Sequence, residues 1–330
     1  MNKRIVTAFT VSLLLALGLS VYMRVQSLEH PPTPTITPTA ISTPTPTPTP
    51  TTTSIPTPIA IAIAIATPHT MANYQTVLDI LGPTGVILPL VDTSTGGFGP
   101  TFNTVGSLLT TFTWSESPQF FDTPPSIQGT MPVVTFNGID EEAHASDNNY
   151  WSIDDSSGEA FSIAIWVNRV PGDPVFILNK RGEFHLVLNS NRLQLEFRDA
   201  SESALCSRMT ESTIAAGVWA WKFLTVTYDG RGGATYDGRG GATAADGIRI
   251  YVDGQLVPAT TIGCSTYINM DNLTNQFVLG EHAGRTARHN KGKIAGGPAG
   301  PSFTHRVLTA TEVIELHSLG LDALGLSAPN

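Results

Sequence analysis

The chain has 330 residues, 41% of them hydrophobic and only 14% charged, and its formal net charge is -9. Three of the 18 basic residues and one of the 27 acidic residues precede residue 70, so the remainder is strongly acidic and repels nucleic acid, whose binders carry basic patches. Low charge with abundant Thr, Ser, Gly and aromatic residues excludes a typical helical protein and suits an all-β one.

Lys3 and Arg4 precede the uncharged run Ile5–Met23, whose nineteen residues suffice to span a bilayer at roughly 20 residues for ~30 Å. The flanking charges favour an inside N-terminus. Two readings fit residues 1–30. A retained signal-anchor matches the length of the run and its Tyr22-Met23-Arg24 edge, and puts the C-terminal part outside the cell membrane on a single pass. A cleaved signal peptide would end near Ala16-Leu17-Gly18 and leave a secreted protein. No Cys follows the run, which excludes a lipoprotein anchor.

Residues 31–72 form a linker. From Pro31 to Pro58 it is almost entirely Pro, Thr and Ser, with repeats such as Thr43-Pro44-Thr45-Pro46-Thr47-Pro48. Proline holds φ near the polyproline II value, and the segment cannot bury enough apolar surface to offset ordering entropy. Extended at ~3.1 Å per residue, this stalk would reach roughly 85 Å. The Ile59–Ala66 run, which alternates Ile and Ala, has no assigned role.

Residues 73–330 suit one large all-β domain. Period-two alternation predicts strands over Phe161–Val167, Leu193–Phe197 and Ile248–Val252, the last turning at the hairpin dipeptide Asp253-Gly254. Further strands are predicted at Pro132–Phe136, Phe184–Leu188, Trp219–Tyr228 and Phe277–Leu279, separated by turn signals such as Asn137-Gly138 and Asn189-Ser190-Asn191. Trp166, Trp219 and Trp221 lie within strands and are read as core. Tyr228–Thr235 recurs exactly as Tyr236–Thr243, read as a duplicated loop segment. One short helix is predicted near the end, opened by the capping box Thr309-Ala310-Thr311-Glu312, carried by Val313, Leu316 and His317, and closed at Gly320. Many short strands and no βαβ rhythm argue for a sandwich or barrel. The two cysteines, Cys206 and Cys264, fall on the exported side with no other partner in the chain, which predicts a disulfide.

Five segments in order resemble laminin G-like domains of the concanavalin A-like lectin/glucanase superfamily. Pro132–Asp140 resembles their strand and Phe-Asn-Gly-x-Asp turn, and Phe161–Val167 their Phe-x-Ile-x-x-Trp-Val strand. Ala216–Trp219 with Leu224–Gly230 is similar to their Gly-x-Trp and Val-Thr-Tyr-Asp-Gly elements. Ile248–Gly254 is similar to their Tyr-Val-Asp-Gly hairpin, and Val307–Glu312 to the closing helix. The resemblance covers about Tyr74 to Gly320. It implies a jelly-roll β-sandwich of two antiparallel sheets with a short C-terminal helix.

The resemblance also implies a surface-displayed binding or adhesion module for an extracellular glycan or surface protein. The alternatives are a structural or accessory domain without ligand, and a glycoside hydrolase relative. Glucanases of the superfamily carry Glu-x-Asp-x-Glu along one strand; this chain has no such triplet. Its nearest acidic segment, Glu196–Glu202, is read as solvated carboxylates at a strand end. Gly-x-Ser-x-Gly, His-Glu-x-x-His and P-loop motifs are also missing, so the chain is read as non-catalytic. Calcium is the one cofactor considered, with Asp92, Asn137 and Asp140 as candidate ligands in loops that the family brings near the sheet ends. The competing account of these residues is turn chemistry. After Ile294 a Gly/Pro run replaces the strand where many members carry an acidic ligand, which weakens any transfer of that site. The candidate ligand-binding residues are Tyr150 and Trp151, which follow the polar stretch Ser146–Asn149, together with Asp140. Asn272-Leu273-Thr274 is a glycosylation sequon.

Overall fold

The structure, a computed structural model, describes residues 71–327 apart from 92–97, 116–125, 154–157, 170–174, 200–204, 215–219, 231–242, 266, 268–269, 271 and 281–289. The membrane-length run, the stalk, Asp92, Trp219 and most of the octapeptide duplication lie outside these residues. Among the described residues no helix is long and apolar enough to cross a membrane.

Two antiparallel sheets face each other. The first runs Gln255–Leu256, Ile248–Val252, Trp221–Tyr228, Phe161–Arg169, Lys291–Ala295, Met131–Asn137 and Ser126–Gln128, with Ser302–Thr304 also pairing to Phe161–Arg169. The second runs Ala259–Gly263, Leu205–Thr210, Arg192–Arg198, Phe184–Asn189, Val175–Lys180, Phe277–Leu279, Ala143–Ala145, Thr111–Trp114 and Thr101–Asn103. This is a jelly-roll-like β-sandwich. Each strand predicted by alternation is present, extended by a residue or two where the pairing continues. Asp253 and Gly254 at φ 51° and 78° turn one hairpin, and Ser190 and Asn191 at φ 50° and 61° turn another, the left-handed pairs that tight hairpins need.

The alternation of Phe161–Val167 is legible in the packing. Phe161, Ile163 and Ile165 point into the space between the sheets, where they meet Leu193, Leu195 and Phe197 of the second sheet. Rings dominate this core: Phe161 stacks on Phe303 at 5.7 Å and Phe102 on Phe112 at 5.0 Å. Each such side chain contributes roughly 1.5–3 kcal/mol on burial.

The opposite face of the same strand is also buried. Ala164 and Trp166, with Phe223 and Tyr251, lie under two helices, α1 (Met71–Leu81) and α2 (Ala310–Leu324), through Val77, Leu81, Val313 and Leu316. Arg306 joins the helices: it donates to the Leu81 and Ile80 carbonyls at the end of α1 and forks onto both Glu312 oxygens at the start of α2, at 3.1 and 2.8 Å. That fork, with Thr309, holds the Glu312 carboxyl down at about pKa 2 against a smaller opposing effect of burial.

The capping box of α2 forms as expected, Glu312 N donating to Thr309 Oγ1 and Thr309 N to the Glu312 carboxylate. The C-terminus does not fall where expected. The helix continues through Gly320 to Leu324 and is capped by Gly325 at φ 64°. Gly320 serves packing instead: a Cβ there would lie 2.0 Å from Trp166 Nε1. Helix α1 was not foreseen.

The Cys206–Cys264 disulfide is present and ties strand Leu205–Thr210 to the residue following its partner strand Ala259–Gly263. It closes a separation of 58 residues, so replacing both cysteines with Ala should cost about 4 kcal/mol by the chain-entropy model. Gly320→Ala should cost about 1–3 kcal/mol by overpacking α2 against the indole. Urea unfolding of each variant against the wild type measures both.

Candidate functional site

The residues singled out in the sequence do not make one site. Asn137 accepts the Ile139 and Asp140 backbone N–H groups at 2.7 and 3.3 Å and donates Nδ2 to Asp140 Oδ1 at 2.9 Å. These side chains build the turn. As a pair they fall well short of the six to eight oxygens calcium takes. Among the described residues no cluster of three or more His, Cys, Asp or Glu is placed to hold a metal.

Trp151 is fully buried, stacked on Phe277 at 4.3 Å with Phe112 and Phe303 at its edges. Its ring is core and presents no face to a sugar, which corrects its assignment as a ligand contact. Tyr150 is half-buried. It donates its hydroxyl to the Thr84 and Phe303 carbonyls and packs on His305 at 4.7 Å. Burial pushes its phenol pKa up. Neither ring bonds to or packs on Asp140.

The same end of the sandwich holds a buried ion cage with no counterpart in the sequence reading. Lys180, 0% exposed, donates to Asp147 Oδ1 at 2.6 Å and Ser152 Oγ, and pairs with Glu183 Oε1 at 3.0 Å. Leu273 N donates to the same Glu183 oxygen at 2.9 Å, and the Ser152 hydroxyl bonds Asn272 Oδ1 at 2.9 Å. Burial pushes the Glu183 carboxyl up to about 7, although the Lys180 charge and these bonds pull it down. The cage joins three loops and has no free donor on its ammonium, which makes it structural. A lysine ending the apolar strand Val175–Lys180 with Glu three residues on was the one available signal.

The outward face of the second sheet carries a polar row. In register across neighbouring strands lie His144, Val278, Asn179, His185, Glu196 and Ser207. Glu196 is buried, with Arg198 Nη2 at 2.9 Å and His185 Nδ1 at 3.5 Å. Burial alone would raise its pKa, but His185 and Arg198 outweigh burial and lower it. It is therefore not the solvated strand-end acid expected. At the row's other end Glu142 lies 3.8 Å from His144 Nδ1, and burial raises its carboxyl.

A groove lies along one edge of the sandwich, where the hairpin Ile248–Leu256 of the first sheet meets strands Leu205–Thr210 and Ala259–Gly263 of the second. It comprises two adjoining clefts that share Val257 and Pro258. One, of about 340 Å³, is lined by Arg208, Arg249, Ile248, Ile250, Leu256 and Ala259. The other, of about 230 Å³, is lined by Thr210, Ser212, Thr213, Ile214, Lys222 and Val252. Leu256 is 56% exposed, and Lys222 is paired with Asp253 Oδ2. Apolar walls with hydroxyls and cations converging on them are the composition of a small-ligand site. None of these residues stood out as a site residue in the sequence, because the two walls come from different sheets.

A two-sheet jelly-roll-like sandwich with these features defines a lectin-like class of domain. Residues 144–313 match the Laminin_G_3 model of the concanavalin A-like lectin/glucanases superfamily, and the chain belongs to that superfamily. No curated protein matches the sequence. Among solved structures, the botulinum neurotoxin serotype D ligand-binding domain in complex with N-acetylneuraminic acid is similar at 10% identity and TM-score 0.47, covering 74% of this chain and 52% of that one. The serotype G binding domain is similar at 14% identity and TM-score 0.43, covering 72% and 51%. The binding domain of Paraclostridial Mosquitocidal Protein 1 is similar at 10% identity and TM-score 0.40, covering 66% and 51%. The chain spans about half the length of each.

Two outcomes are expected for the cage. Lys180→Met should destabilise by about 3–5 kcal/mol, since it leaves buried carboxylate charge uncompensated. Glu183 should give a pH signature. Between about pH 4.5 and 7 the unfolded chain has released this proton while the folded chain still holds it, so stability falls as pH rises through that window. Chemical denaturation of wild type and Glu183→Gln from pH 4 to 8 tests this, with the slope in that window flattened in the variant.

Proposed function

We propose that this chain is a non-catalytic carbohydrate-binding module displayed outside the cell, and that its ligand seats in the edge groove. The observation that carries the reading is the groove's composition. Exposed Leu256 and the Val257-Pro258 step offer apolar surface for sugar C–H faces. Ser212 and Thr213 and the two arginines supply hydrogen-bonding groups around it. Membership of a lectin and glucanase superfamily agrees with this. Display rests on the Ile5–Met23 run and the Pro/Thr-rich stalk, whose physical use is to hold a domain away from a surface.

The carboxylates of the second sheet support binding over hydrolysis. Glu142, with its raised pKa, and Glu196, with its lowered one, have the shifts an acid and a base would need. Four strand spacings separate them, about 19 Å at ~4.8 Å each. Glycosidase carboxyl pairs lie roughly 5–10 Å apart. Calcium has no part in the proposed groove, which contains no carboxylate among its lining residues.

A glycan array probed with the full-length chain tests the reading. Leu256→Ser and Ser212→Ala, both exposed, should each weaken the best hit about 5–10-fold without moving Tm, and a chelator should leave it unchanged. An array without hits would favour a structural module, and turnover of a polysaccharide would end the non-catalytic reading.

A further inference from the structure

The groove proposed above to hold a saccharide has one end built from two arginines that form no ion pair among the described residues. Arg208 comes from strand Leu205–Thr210 of the second sheet and Arg249 from strand Ile248–Val252 of the first. Both line the 340 Å³ cleft. The turn Ala244–Gly247 brings them together: Arg208 Nη1 donates to the Ala245 carbonyl at 3.3 Å, and Arg249 Nη1 to the next carbonyl, Asp246, at 2.8 Å and to that of Ile248 at 3.2 Å. Consecutive carbonyls of one short turn thus hold two guanidinium groups side by side.

Those bonds use only Nη1 of each residue. Among the described residues Nη2 and Nε of both make no other hydrogen bond and neither arginine forms an ion pair. A guanidinium presents five N–H donors in a planar fork that matches a carboxylate or sulfate bidentately. Asp229 lies against Gly247 of the same turn and Asp246 belongs to it, but among the described residues neither carboxylate pairs with either guanidinium. The Asp246 carboxylate accepts from Thr243 N and Oγ1, Asp253 pairs with Lys222, and Glu211 follows Thr210 beside the second cleft. Like charges held together with open donors are stabilised by an anion between them.

We infer that the ligand is an acidic saccharide, whose carboxylate or sulfate group binds between Arg208 and Arg249 while its neutral part runs over Val257 and Pro258. The inference rests on the saccharide reading of the groove and adds the charge of the ligand to it.

The experiment titrates the full-length chain by isothermal calorimetry with a galacturonic acid hexamer, a chondroitin sulfate hexasaccharide and neutral maltohexaose, at 50 and 300 mM NaCl. At least one acidic hexamer should bind tenfold or more tighter than maltohexaose and weaken at the higher salt. Arg249→Gln, at an exposed position, should cut acidic binding at least tenfold and leave Tm unchanged. Arg208→Lys should recover less than full affinity, because an ammonium cannot fork. Equal binding of acidic and neutral hexamers, or full acidic binding in both Arg249→Gln and Arg208→Gln, overturns the inference and leaves the saccharide reading standing. If no glycan binds the wild type, here or on the array, the saccharide reading itself fails.

Discussion

Burial of both faces of the first sheet is the constraint on which the arrangement of this molecule depends. A sandwich strand ordinarily shows one face to water, yet Phe161–Arg169 buries Ile163 and Ile165 on one side and Ala164 and Trp166 on the other. The second apolar face requires α1 and α2 as a cover, and the cover requires Arg306 to hold two helix ends of unlike origin together. It also requires a glycine at position 320, where the indole approaches the helix too closely for any side chain. The helices cover that face except at a cleft of about 270 Å³ lined by Trp166, Phe223 and Leu316, and polar chemistry is concentrated on the second sheet's outward face, the loop ends and the edges.

The cations sort into two kinds by what surrounds them. Lys180 sits at zero exposure with every described contact a carboxylate or hydroxyl oxygen, and its removal exposes the cost of the acids around it. Among the described residues, Arg208 and Arg249 hydrogen-bond only to backbone carbonyls at the edge of solvent. The first is a closed network whose members satisfy one another. The second is an open one, and open donors on a rigid frame are what a ligand needs. The distinction comes from the inventory of partners, since both kinds are simply basic residues in β-strands when read along the chain.

What the sequence revealed follows the range of the interactions involved. Strands were legible at Ile248–Val252 and Leu193–Phe197 because period two is local. The capping box at Thr309–Glu312 was legible because its members are three residues apart, and the disulfide because only two cysteines exist. The Asn137–Asp140 turn was recognised, and its side chains make the hydrogen bonds of a turn. The failures are all long-range. Gly320 has the identity of a cap, but its role is set by Trp166, far away in the chain. Trp151 comes with Tyr150 just after four polar residues, so it was assigned as a ligand contact, whereas the ring fills the core against Phe277. Glu196 read as solvated because it shares a strand face with the polar Gln194 and Arg198 and leads into an acidic segment, while in the fold His185 and Arg198 pair with it. The groove was invisible for the same reason, since two sheets had to be laid over each other before its walls met.

The position of the disulfide bears on the rigidity of the proposed groove. Cys206 pairs in register with Gly263, and Arg208 with Thr261 two residues along the same strands. The covalent link therefore fixes the second-sheet wall of the groove within one pleat of Arg208. The opposite wall is a hairpin turned tightly at Asp253-Gly254, with Ile248 and Ile250 anchored in the core on the strand that carries Arg249. The turn Ala244–Gly247 then bridges the walls through carbonyls whose spacing the backbone sets. Both guanidinium groups are thus positioned by strands, a crosslink and a short turn. Groups held that way lose little freedom when a ligand arrives, and the affinity of a small polar ligand depends on that more than on the area it covers.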